Sequence, residues 1–374
     1  MRYKTFQDLQ LSALGMGCMR LPLKGGNSEI DEEQTARMAA YAMAHGINYF
    51  DTAWGYHGGN SESVMGKILS AYPRDVYHLA SKFPGYDLAN MPKVQEIFAR
   101  KLERCQSEYF DFYLFHNVCE LNIDAYLNEE YGILDHLLKQ KEAGRIRHLG
   151  FSAHGSIPVM ERFLNAYGEH MEFCQIQLNY LDWSLQDAKG KVELLNARHI
   201  PIWVMEPLRG GKLCTLDEEA MSELQKLRPQ ESMSGWAFRF LQSIPGVTMI
   251  LSGMSDMQQL QENIETFADE QPLNEDEMKT LTGIGRRMST SVPCTACRYC
   301  IEHCPRSLDI PELIRLYNDM VYSDGSFSAR NAVNALPADK QPSACIGCGH
   351  CQALCPQQIH IPDIMRDLAR RISE

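Results

Sequence analysis

The stretch 48–56, NYFDTAWGY, begins as a short apolar run of strand type and ends on a carboxylate, Asp51, with a phenol, Tyr56, five positions further on. A carboxylate at the end of a buried strand costs free energy unless a partner neutralises it. The stretch therefore predicts a strand end that carries reactive groups. It also predicts that another element of the fold supplies a cation to Asp51.

Runs of the same strand type recur between residue 12 and about residue 267, and they alternate with helical patterns such as 31–46, 91–105 and 187–199. With NYFDTA at 48–53, the runs are LSALGMGCM at 11–19, VYHLASKF at 76–83, DFYLFHNV at 111–118, IRHLGFSA at 146–153, FCQIQLNY at 173–180, IPIWVME at 200–206 and VTMILSGM at 247–254. Eight βα units in about 260 residues are typical of a TIM barrel. A doubly wound open sheet has the same local pattern and is the alternative. We expect an α/β fold with a (β/α)8 TIM barrel.

Four polar, titratable side chains come from three consecutive strand ends. Asp51 ends the second run and Tyr56 follows it, Lys82 ends the third run, and His116 ends the fourth. In a barrel these ends meet at one rim. Each side chain alone also has a structural interpretation, as a loop-holding ion pair or a packed core residue, but their joint occurrence favours a catalytic site.

This set of side chains suits reduction of a carbonyl. A lysine ammonium near a tyrosine hydroxyl favours the phenolate, so we expect Lys82 to lower the pKa of Tyr56 from its usual value of about 10. Such a tyrosine can protonate the alkoxide that forms when hydride reaches a carbonyl carbon. A nearby imidazole, His116, can orient the carbonyl or share the proton.

Residues 1–285 resemble the aldo-keto reductase family. The resemblance is carried by the four side chains above and by YHGGNSESVMGK at 56–67, GFSAHG at 150–155, PLRGGKL at 207–213 and SGMSDMQQLQENI at 252–264. It implies that Tyr56 is the general acid, that Asp51 and Lys82 tune it, and that His116 helps to bind the carbonyl. It also implies a nicotinamide dinucleotide, NADP(H) or NAD(H), held without a Rossmann motif, since the sequence contains no G-x-G-x-x-G.

The resemblance also implies cofactor contacts at matching positions. Ser152 and Gln175 match the positions that hold the nicotinamide carboxamide. The other matched positions are Gly17 on the first strand, Met205 beside the nicotinamide, Pro207, Leu208 and Gly210 in the loop that covers the pyrophosphate, and Gly253, Ser255, Gln259, Glu262 and Asn263 at the adenosine end.

The sequence departs from the family pattern in three places. Ala153 replaces the family's Asn beside the serine, and Met205 replaces the aromatic residue that usually stacks on the nicotinamide. A thioether packs on a ring less definitely than an aromatic side chain does. Gly253 and Gln259 stand where many relatives carry basic side chains, so NADP is favoured over NAD by family habit alone.

The cysteines are concentrated near the end of the chain. Eight of the thirteen lie between Cys294 and Cys355, in two C-x2-C-x2-C-x3-C-P runs. This run is associated with two 4Fe-4S clusters, in which the fourth cysteine of each run ligates the other cluster. We assign one cluster to Cys294, Cys297, Cys300 and Cys355 and the second to Cys345, Cys348, Cys351 and Cys304. Zinc is the alternative, although four-cysteine zinc sites usually come as two separated C-x2-C pairs.

The segment between the two runs, 305–344, contains helical patterns at 310–325 and 328–337, and another follows at 361–372. This arrangement resembles the α-helical ferredoxin domains that are attached to anaerobic reductases. Ile310-Pro311 and Ile361-Pro362 occupy equivalent places after each run, which indicates an internal duplication in which each proline opens a helix. We therefore expect two domains, the barrel at 1–285 and a ferredoxin-type domain at 286–374.

Charge and hydropathy limit the partners. The net charge of -12 disfavours nucleic acid and anionic membranes. No run approaches the roughly 18 apolar residues that a membrane span needs, and the first residues, MRYKTFQDLQ, lack the apolar segment of a signal peptide. We expect a cytoplasmic protein that acts on a small carbonyl compound and that has, as a further expectation, a redox protein partner.

The joint presence of hydride chemistry and clusters leaves several functions open. Clusters pass electrons singly whereas a nicotinamide transfers a hydride pair, and the usual converter between them is a flavin. The sequence carries no flavin fingerprint, but the phosphate loops of a barrel can hold a flavin without a motif, so a flavin stays open as a further cofactor. The clusters either relay electrons to the reductase site or serve as structural or redox-sensing groups. A different class of function is a nicotinamide-sensing, electron-transferring subunit of a larger redox complex.

Overall fold

The computed structural model describes residues 1–25, 29–289, 292, 294, 298–302, 304–323, 325–355 and 357–374. Its first part is a closed barrel of eight parallel strands with helices between them, so the TIM barrel is confirmed and the open sheet is excluded. Each of the eight predicted runs coincides with one barrel strand, and only β6 begins one residue before its run. An antiparallel hairpin before the barrel was not predicted.

The strands alternate with helices in the order that a TIM barrel requires. The hairpin strands are β1 (Tyr3–Phe6) and β2 (Leu9–Ser12). The barrel strands, which pair in the cyclic order β10-β3-β4-β5-β6-β7-β8-β9, are β3 (Leu14–Gly17), β4 (Tyr49–Asp51), β5 (His78–Phe83), β6 (Phe110–Val118), β7 (Ile146–Ala153), β8 (Cys174–Gln177), β9 (Ile202–Met205) and β10 (Val247–Gly253).

The α-helices of the described residues surround the barrel and then form the C-terminal part. Those of the barrel are α1 (Glu32–Ala44), α2 (Ser61–Leu69), α3 (Val94–Arg104), α4 (Ile123–Tyr126), α5 (Ile133–Glu142), α6 (Ile157–Tyr167), α7 (Asp182–Leu185), α8 (Ala188–Ala197), α9 (Glu218–Leu227), α10 (Met233–Gln242), α11 (Met257–Thr266) and α12 (Glu275–Ser289). Those that follow are α13 (Tyr299–Glu302), α14 (Ile310–Ser323), α15 (Phe327–Asn334), α16 (His350–Ala353) and α17 (Ile361–Ser373). Short 3-10 helices lie at Tyr56–Gly59, Arg74–Val76, Leu88–Lys93, Glu129–Tyr131, Gly168–His170, Arg209–Cys214, Ala338–Lys340 and Pro342–Ala344.

Several helices begin at a polar side chain that caps their free N–H groups. The carboxylate of Asp31 accepts a hydrogen bond from the backbone N–H of Gln34 at the start of α1, and Asp256 accepts one from Gln259 at the start of α11. These caps satisfy donors that have no partner inside the helix. The sequence therefore encodes these helix starts locally.

The floor of the barrel is closed by aromatic side chains. Phe6 of the hairpin packs edge-on against Trp203 with ring centroids 5.0 Å apart, and Phe112 and Phe173 complete a buried cluster with it. Gly15 leaves room for this packing, because a Cβ there would lie 2.7 Å from the side chain of Leu251. With the floor filled, the opposite rim is the open end of the barrel.

The helices after α12 have a buried apolar core of their own, which includes Leu313, Met320 and Met365. The predicted boundary between the two domains, at residues 285 and 286, falls inside helix α12. This boundary remains a prediction. Helices α14 and α17 pack against each other, and α14 also contacts α12. No helix in the described ranges has the length and apolarity needed to cross a bilayer.

Candidate active site

The four predicted catalytic side chains come together at the open rim of the barrel. Asp51 ends β4, Lys82 lies near the end of β5, and His116 lies near the end of β6. The ammonium of Lys82 is 2.5 Å from a carboxylate oxygen of Asp51 and interacts with the hydroxyl of Tyr56. The Tyr56 and His116 rings are edge-on with centroids 6.3 Å apart. The cation that the sequence requires for Asp51 is therefore Lys82.

The turn that carries Tyr56 is held by the segment that follows β3. His57 has a φ of 53°, in the left-handed region of backbone conformation that residues other than glycine rarely adopt. Its Nε2 accepts a hydrogen bond of 3.0 Å from the backbone N–H of Leu21, which offsets the cost of that conformation. Position 55 favours glycine, because a Cβ there would lie 2.5 Å from the hydroxyl of Tyr86. The turn thus places Tyr56 against the rim.

Burial sets the protonation states of these groups. Burial is the largest single effect on Lys82 and would lower its pKa, but the charges of Asp51 and Tyr56 and the hydrogen bonds to them together outweigh burial. The pKa of Lys82 is therefore raised, and the ammonium is retained. Burial lowers the pKa of His116 well below its usual range, and the imidazole is therefore neutral at pH 7. The expectation of a lowered tyrosine pKa is wrong for this structure, because burial raises the pKa of Tyr56 to about 12 although Lys82 acts in the opposite direction. Tyr56 is thus a protonated acid across the physiological range.

A second buried ion pair supports the strand that carries Lys82. Glu62 accepts hydrogen bonds from Lys101, at 2.5 Å, and from the hydroxyl of Ser81, at 2.7 Å. Ser81 precedes Lys82 on β5, and all three side chains are buried. Breaking a buried pair by removing one partner is strongly destabilising, so this pair holds β5 in place behind the catalytic lysine.

A cavity of about 600 Å³ opens beside Tyr56 and Asp51 along the rim. It is lined by all but one of the predicted cofactor positions, namely Gly17, Gln175, Met205, Pro207, Leu208, Gly210, Gly253, Ser255, Gln259, Glu262 and Asn263. Ser152 does not line it. The oxygen of the Ser152 hydroxyl instead accepts a hydrogen bond of 2.8 Å from the backbone N–H of Asn117. The cavity has the size and shape of a small-molecule site.

Buried polar atoms at this rim lack hydrogen-bond partners among the described residues. They include one carboxylate oxygen of Asp51, Nδ1 of His116 and the amide oxygen of Gln175. Buried polar groups in proteins are nearly always hydrogen-bonded. The amide nitrogen of Gln175 lies 3.7 Å from the sulfur of Met205, so its oxygen is the end that is left for a ligand. These atoms suit a ligand that brings donors and acceptors to the rim.

Arg20 is a cation of the first cavity that was not predicted from the sequence. Its side chain packs over Gly253, where a Cβ would lie 3.0 Å away, and its guanidinium reaches the loop at Gly210. Its backbone oxygen accepts a hydrogen bond of 3.0 Å from the hydroxyl of Ser255. The glycine that replaces the basic residue of many relatives therefore makes room for a basic side chain from another loop. No local pattern at Gly253 could have indicated this.

A second cavity of about 660 Å³ lies on the other side of Tyr56 and shares Arg20 and Met205 with the first. His116, Tyr86 and His154 line it from the barrel, and residues of α14 and α15 line it from the C-terminal part. Burial lowers the pKa of His154 to about 4, so this ring is neutral too. His154 stands in the motif GFSAHG but was not singled out from sequence.

The second predicted set of cluster cysteines surrounds one cavity. Cys345, Cys348, Cys351 and Cys304 all line it, with apolar neighbours such as Ile310 and Ile361. Among the residues that the structure describes, no three His, Cys, Asp or Glu side chains form a group that could hold a single metal ion. A cluster that takes one ligand at each iron needs four thiols that share such a cavity.

The first predicted set is described in part. Cys297 lies outside the described residues, Cys300 is buried, and Cys294 and Cys355 are half-buried against the same C-terminal core. Helix α13, which contains Cys300, packs against α16, which contains Cys351. The described parts of the two runs therefore lie side by side, as the exchange of the fourth cysteine between runs requires.

Comparisons with known proteins agree with the fold and with the presence of an iron–sulfur domain. The family described as aldo/keto reductase matches residues 13–286, and a 4Fe-4S dicluster domain matches residues 293–360. An uncharacterized oxidoreductase of Bacillus subtilis, YqkF, is 26% identical over 73% of this chain and 92% of its own length. An L-galactose dehydrogenase of Arabidopsis thaliana is 24% identical over 72% of this chain and 88% of its own length.

Solved structures share the fold. An aldo-keto reductase from Bacillus halodurans in its holo form has a TM-score of 0.63 and 23% identity, over 76% of this chain and 96% of its own. An aldo-keto reductase from Klebsiella pneumoniae in complex with NADPH has a TM-score of 0.60 and 19% identity, over 76% of this chain and 95% of its own.

The fold and the rim thus define an oxidoreductase built on a TIM barrel. More specifically, the chain belongs to the aldo/keto reductase family and carries a C-terminal 4Fe-4S dicluster domain.

Proposed function

We propose that this chain transfers hydride between a nicotinamide cofactor and a small carbonyl compound at the rim where Asp51, Tyr56, Lys82 and His116 meet. The single observation that carries the proposal is that meeting. Lys82 contacts both Asp51 and Tyr56, and His116 faces Tyr56 from the next strand. Packing alone would not account for four polar side chains that meet at one rim of the barrel, between two cavities.

The side chains have distinct roles in the proposed reaction. When bound, the nicotinamide supplies or accepts the hydride. Tyr56 donates its hydroxyl proton to the carbonyl oxygen as negative charge develops there, because the neighbouring Lys82 ammonium stabilises the phenolate that remains. Asp51 keeps Lys82 charged and in place. His116, neutral and with a ring nitrogen that has no partner among the described residues, donates to or accepts from the substrate oxygen.

The residues of the first cavity fit the cofactor. Gln175 offers an unpaired amide oxygen to the carboxamide, Met205 offers an apolar surface to the ring, and Arg20 offers a cation to phosphate. Ser255 and Gln259 stand at the start of α11 and line the same cavity. Arg20 offers this cation to a phosphate of either dinucleotide, and NADP(H) is proposed over NAD(H) because the Klebsiella pneumoniae neighbour forms a complex with NADPH.

We further propose that the eight cysteines of the two runs hold two 4Fe-4S clusters that exchange electrons singly with a redox partner or with the reductase site. Four thiols around one cavity support the second cluster. Oxidation of one reduced nicotinamide releases two electrons and a proton, which matches two clusters that each take one electron. A flavin in the cavities at the rim is the converter that this coupling needs. In the alternative, the clusters are structural or redox-sensing, an interpretation that the burial of Cys300 and Cys351 in the C-terminal core favours.

An anaerobic experiment tests this proposal. We expect about eight irons per chain by metal analysis, oxidation of NADPH when an aldehyde is added, and alcohol formed in equal amount. The clusters should become reduced when NADPH is added, as followed by EPR. Zinc in place of iron would remove the clusters. Tight NADPH binding without turnover of any aldehyde or quinone would favour the nicotinamide-sensing subunit, and silent clusters at every accessible potential would favour the structural role.

A further inference from the structure

The outer wall of the second cavity comes from the C-terminal domain rather than from the barrel. Ser323, at the end of α14, and residues 325–328 line it opposite Tyr56 and His116. We call residues 325–328 the wall segment. It belongs to the stretch between the two cysteine runs, so the segment that spaces the cluster ligands also borders the site of carbonyl reduction.

The wall segment is held in place by a buried polar network. Arg209, from the loop after β9, donates a hydrogen bond to Asp319 of α14, and both side chains are buried. The other oxygen of Asp319 accepts hydrogen bonds from the hydroxyl of Ser326, at 2.8 Å, and from the amide of Gln186, at 3.0 Å. Ser326 in turn caps the first turn of α15. Arg209 and Gln186 of the barrel thus hold Asp319 in place, and Asp319 in turn holds Ser326 of the wall segment.

A second contact holds the approach to the segment. The ammonium of Lys212 donates a hydrogen bond of 2.8 Å to the backbone oxygen of Tyr322. The guanidinium of Arg209 lies 5.4 Å from the Tyr322 ring centroid. Cations positioned over aromatic rings in this way are attracted to them. The end of α14 is therefore fixed to the same barrel loop that lines the cofactor cavity.

Phe327 is the large apolar side chain of the wall segment. It remains 55% exposed although the backbone on either side of it is held. Its ring packs edge-on against His154 with centroids 6.0 Å apart, and the hydroxyl of Ser328 is 3.4 Å from Nδ1 of His154. Tyr86, Met19 and Met205 also line this cavity. A rigidly placed, exposed aromatic ring at the mouth of a cavity is a typical ligand contact.

We propose that Phe327 is a specificity-determining residue, which contacts an aromatic or flat apolar substituent on the carbonyl substrate, and that the C-terminal domain thereby selects the substrate of the barrel. This inference rests on the proposed carbonyl reduction. It adds the substrate class, which is aromatic aldehydes and quinones in preference to short aliphatic aldehydes. Edge-on and stacked aromatic contacts supply the preference.

The test compares Phe327→Ala with the wild type, both as anaerobically purified holoenzyme with equal iron content. For 2-naphthaldehyde we expect kcat/KM to fall about tenfold, while for propanal it stays within about twofold. By calorimetry, the Kd of 2-naphthylmethanol should rise about tenfold, and Phe327→Tyr should restore both values. The matched control is Leu227→Ala, an exposed apolar side chain on α9, which should leave all of these values unchanged.

Two outcomes overturn the inference. In the first, Phe327→Ala lowers kcat/KM for both aldehydes equally. In the second, neither kcat/KM nor the Kd of 2-naphthylmethanol changes. If the wild type reduces no aldehyde at all, the proposed function fails instead, and the calorimetric Kd still tests the contact with Phe327 by itself.

Discussion

The rim of the barrel and the cysteine-rich C-terminal part hold their functional groups in different ways. At the rim, Lys82 and Asp51 neutralise each other on strands that are hydrogen-bonded into a closed sheet. In the C-terminal part, Cys300 and Cys351 are themselves members of a small apolar core. The reductase site is thus built by protein alone, whereas the core of the second region contains the predicted ligands of its clusters. Removing the proton donor at the rim should therefore leave the cluster ligands in place, and removing one cluster ligand should leave the four side chains of the rim in place.

The largest expected effect comes from a substitution at the barrel rim that should leave the cluster region unchanged. Tyr56→Phe removes only the hydroxyl that donates the proton, so kcat for aldehyde reduction should fall about 100- to 10,000-fold. The iron content and the Kd of NADPH should remain at wild-type values. Steady-state kinetics, metal analysis and cofactor titration measure the three quantities. Retained turnover would remove Tyr56 from the acid role, and lost iron would mean that the two regions are not independent.

The next largest effect comes from a substitution of one predicted cluster ligand. Cys348 is exposed, so Cys348→Ser removes a predicted ligand without opening a cavity in the core. Iron should fall from about eight to about four per chain, and the C-terminal part should unfold at a lower temperature, because metal binding contributes to folding. Cys214→Ser, at an exposed cysteine of the barrel, is the matched control. Unchanged iron in Cys348→Ser would contradict the ligand assignment.

A smaller effect concerns the cofactor cavity. Arg20→Met keeps much of the side-chain length and removes the cation, so the Kd of NADPH should rise about tenfold, as expected for loss of one phosphate contact. Arg37→Met, on the exposed face of α1, is the control. If the Kd of NADPH is the same in both variants, Arg20 does not contact phosphate. A Kd of NADH that is unchanged by Arg20→Met would assign the contact to the 2'-phosphate.

The smallest effect concerns stability at the barrel floor, away from both sites. Burial would raise the pKa of Glu172, but hydrogen bonds from His148, Lys141 and the backbone of Leu149 lower it from 4.5 to about 2. A lowered carboxyl pKa stabilises the fold above pH 4.5, and this stabilisation is lost as the pH falls from 4.5 toward 2. Glu172→Gln should reduce the free energy of unfolding by about 1 kcal/mol at pH 7 and by less at pH 3.

Acid unfolding followed by circular dichroism measures the difference, with Glu193→Gln, at an exposed glutamate, as the control. An equal loss of stability at pH 7 and pH 3 would show that the hydrogen bonds of Glu172 are not linked to its ionisation. Carbonyl reduction at pH 7 should not change, since Glu172 lies at the opposite end of the barrel from Tyr56.

Much of this molecule could be predicted because its signals are local or repeat along the chain. Strand runs that end on Asp51, Lys82 and His116 follow a regular βα spacing, and the positions of cysteines within a run are set by one turn of chain around a cluster. The hairpin at 3–12 was missed because its two strands lie outside that repeat.

Other features depend on residues that are far apart in sequence. Arg209 and Asp319 are 110 positions apart, and neither local pattern shows that they meet. Arg20 and Gly253 are also far apart in sequence, and neither local pattern shows that the Arg20 side chain packs over Gly253. The pKa of Tyr56 was predicted in the wrong direction because the sequence shows the neighbouring charge of Lys82 but not the depth of burial, and burial is the larger effect.

The most direct test of the central claim follows the hydride itself. Wild-type holoenzyme is given NADPH deuterated at the transferred position of C4 of the nicotinamide ring, together with 2-naphthaldehyde, under anaerobic conditions, and the alcohol is examined by mass spectrometry and NMR. Transfer at the rim beside Tyr56 predicts one deuterium on the carbinol carbon of each alcohol molecule. Alcohol that carries hydrogen from solvent at that carbon would contradict direct hydride transfer and would place the electrons on another route.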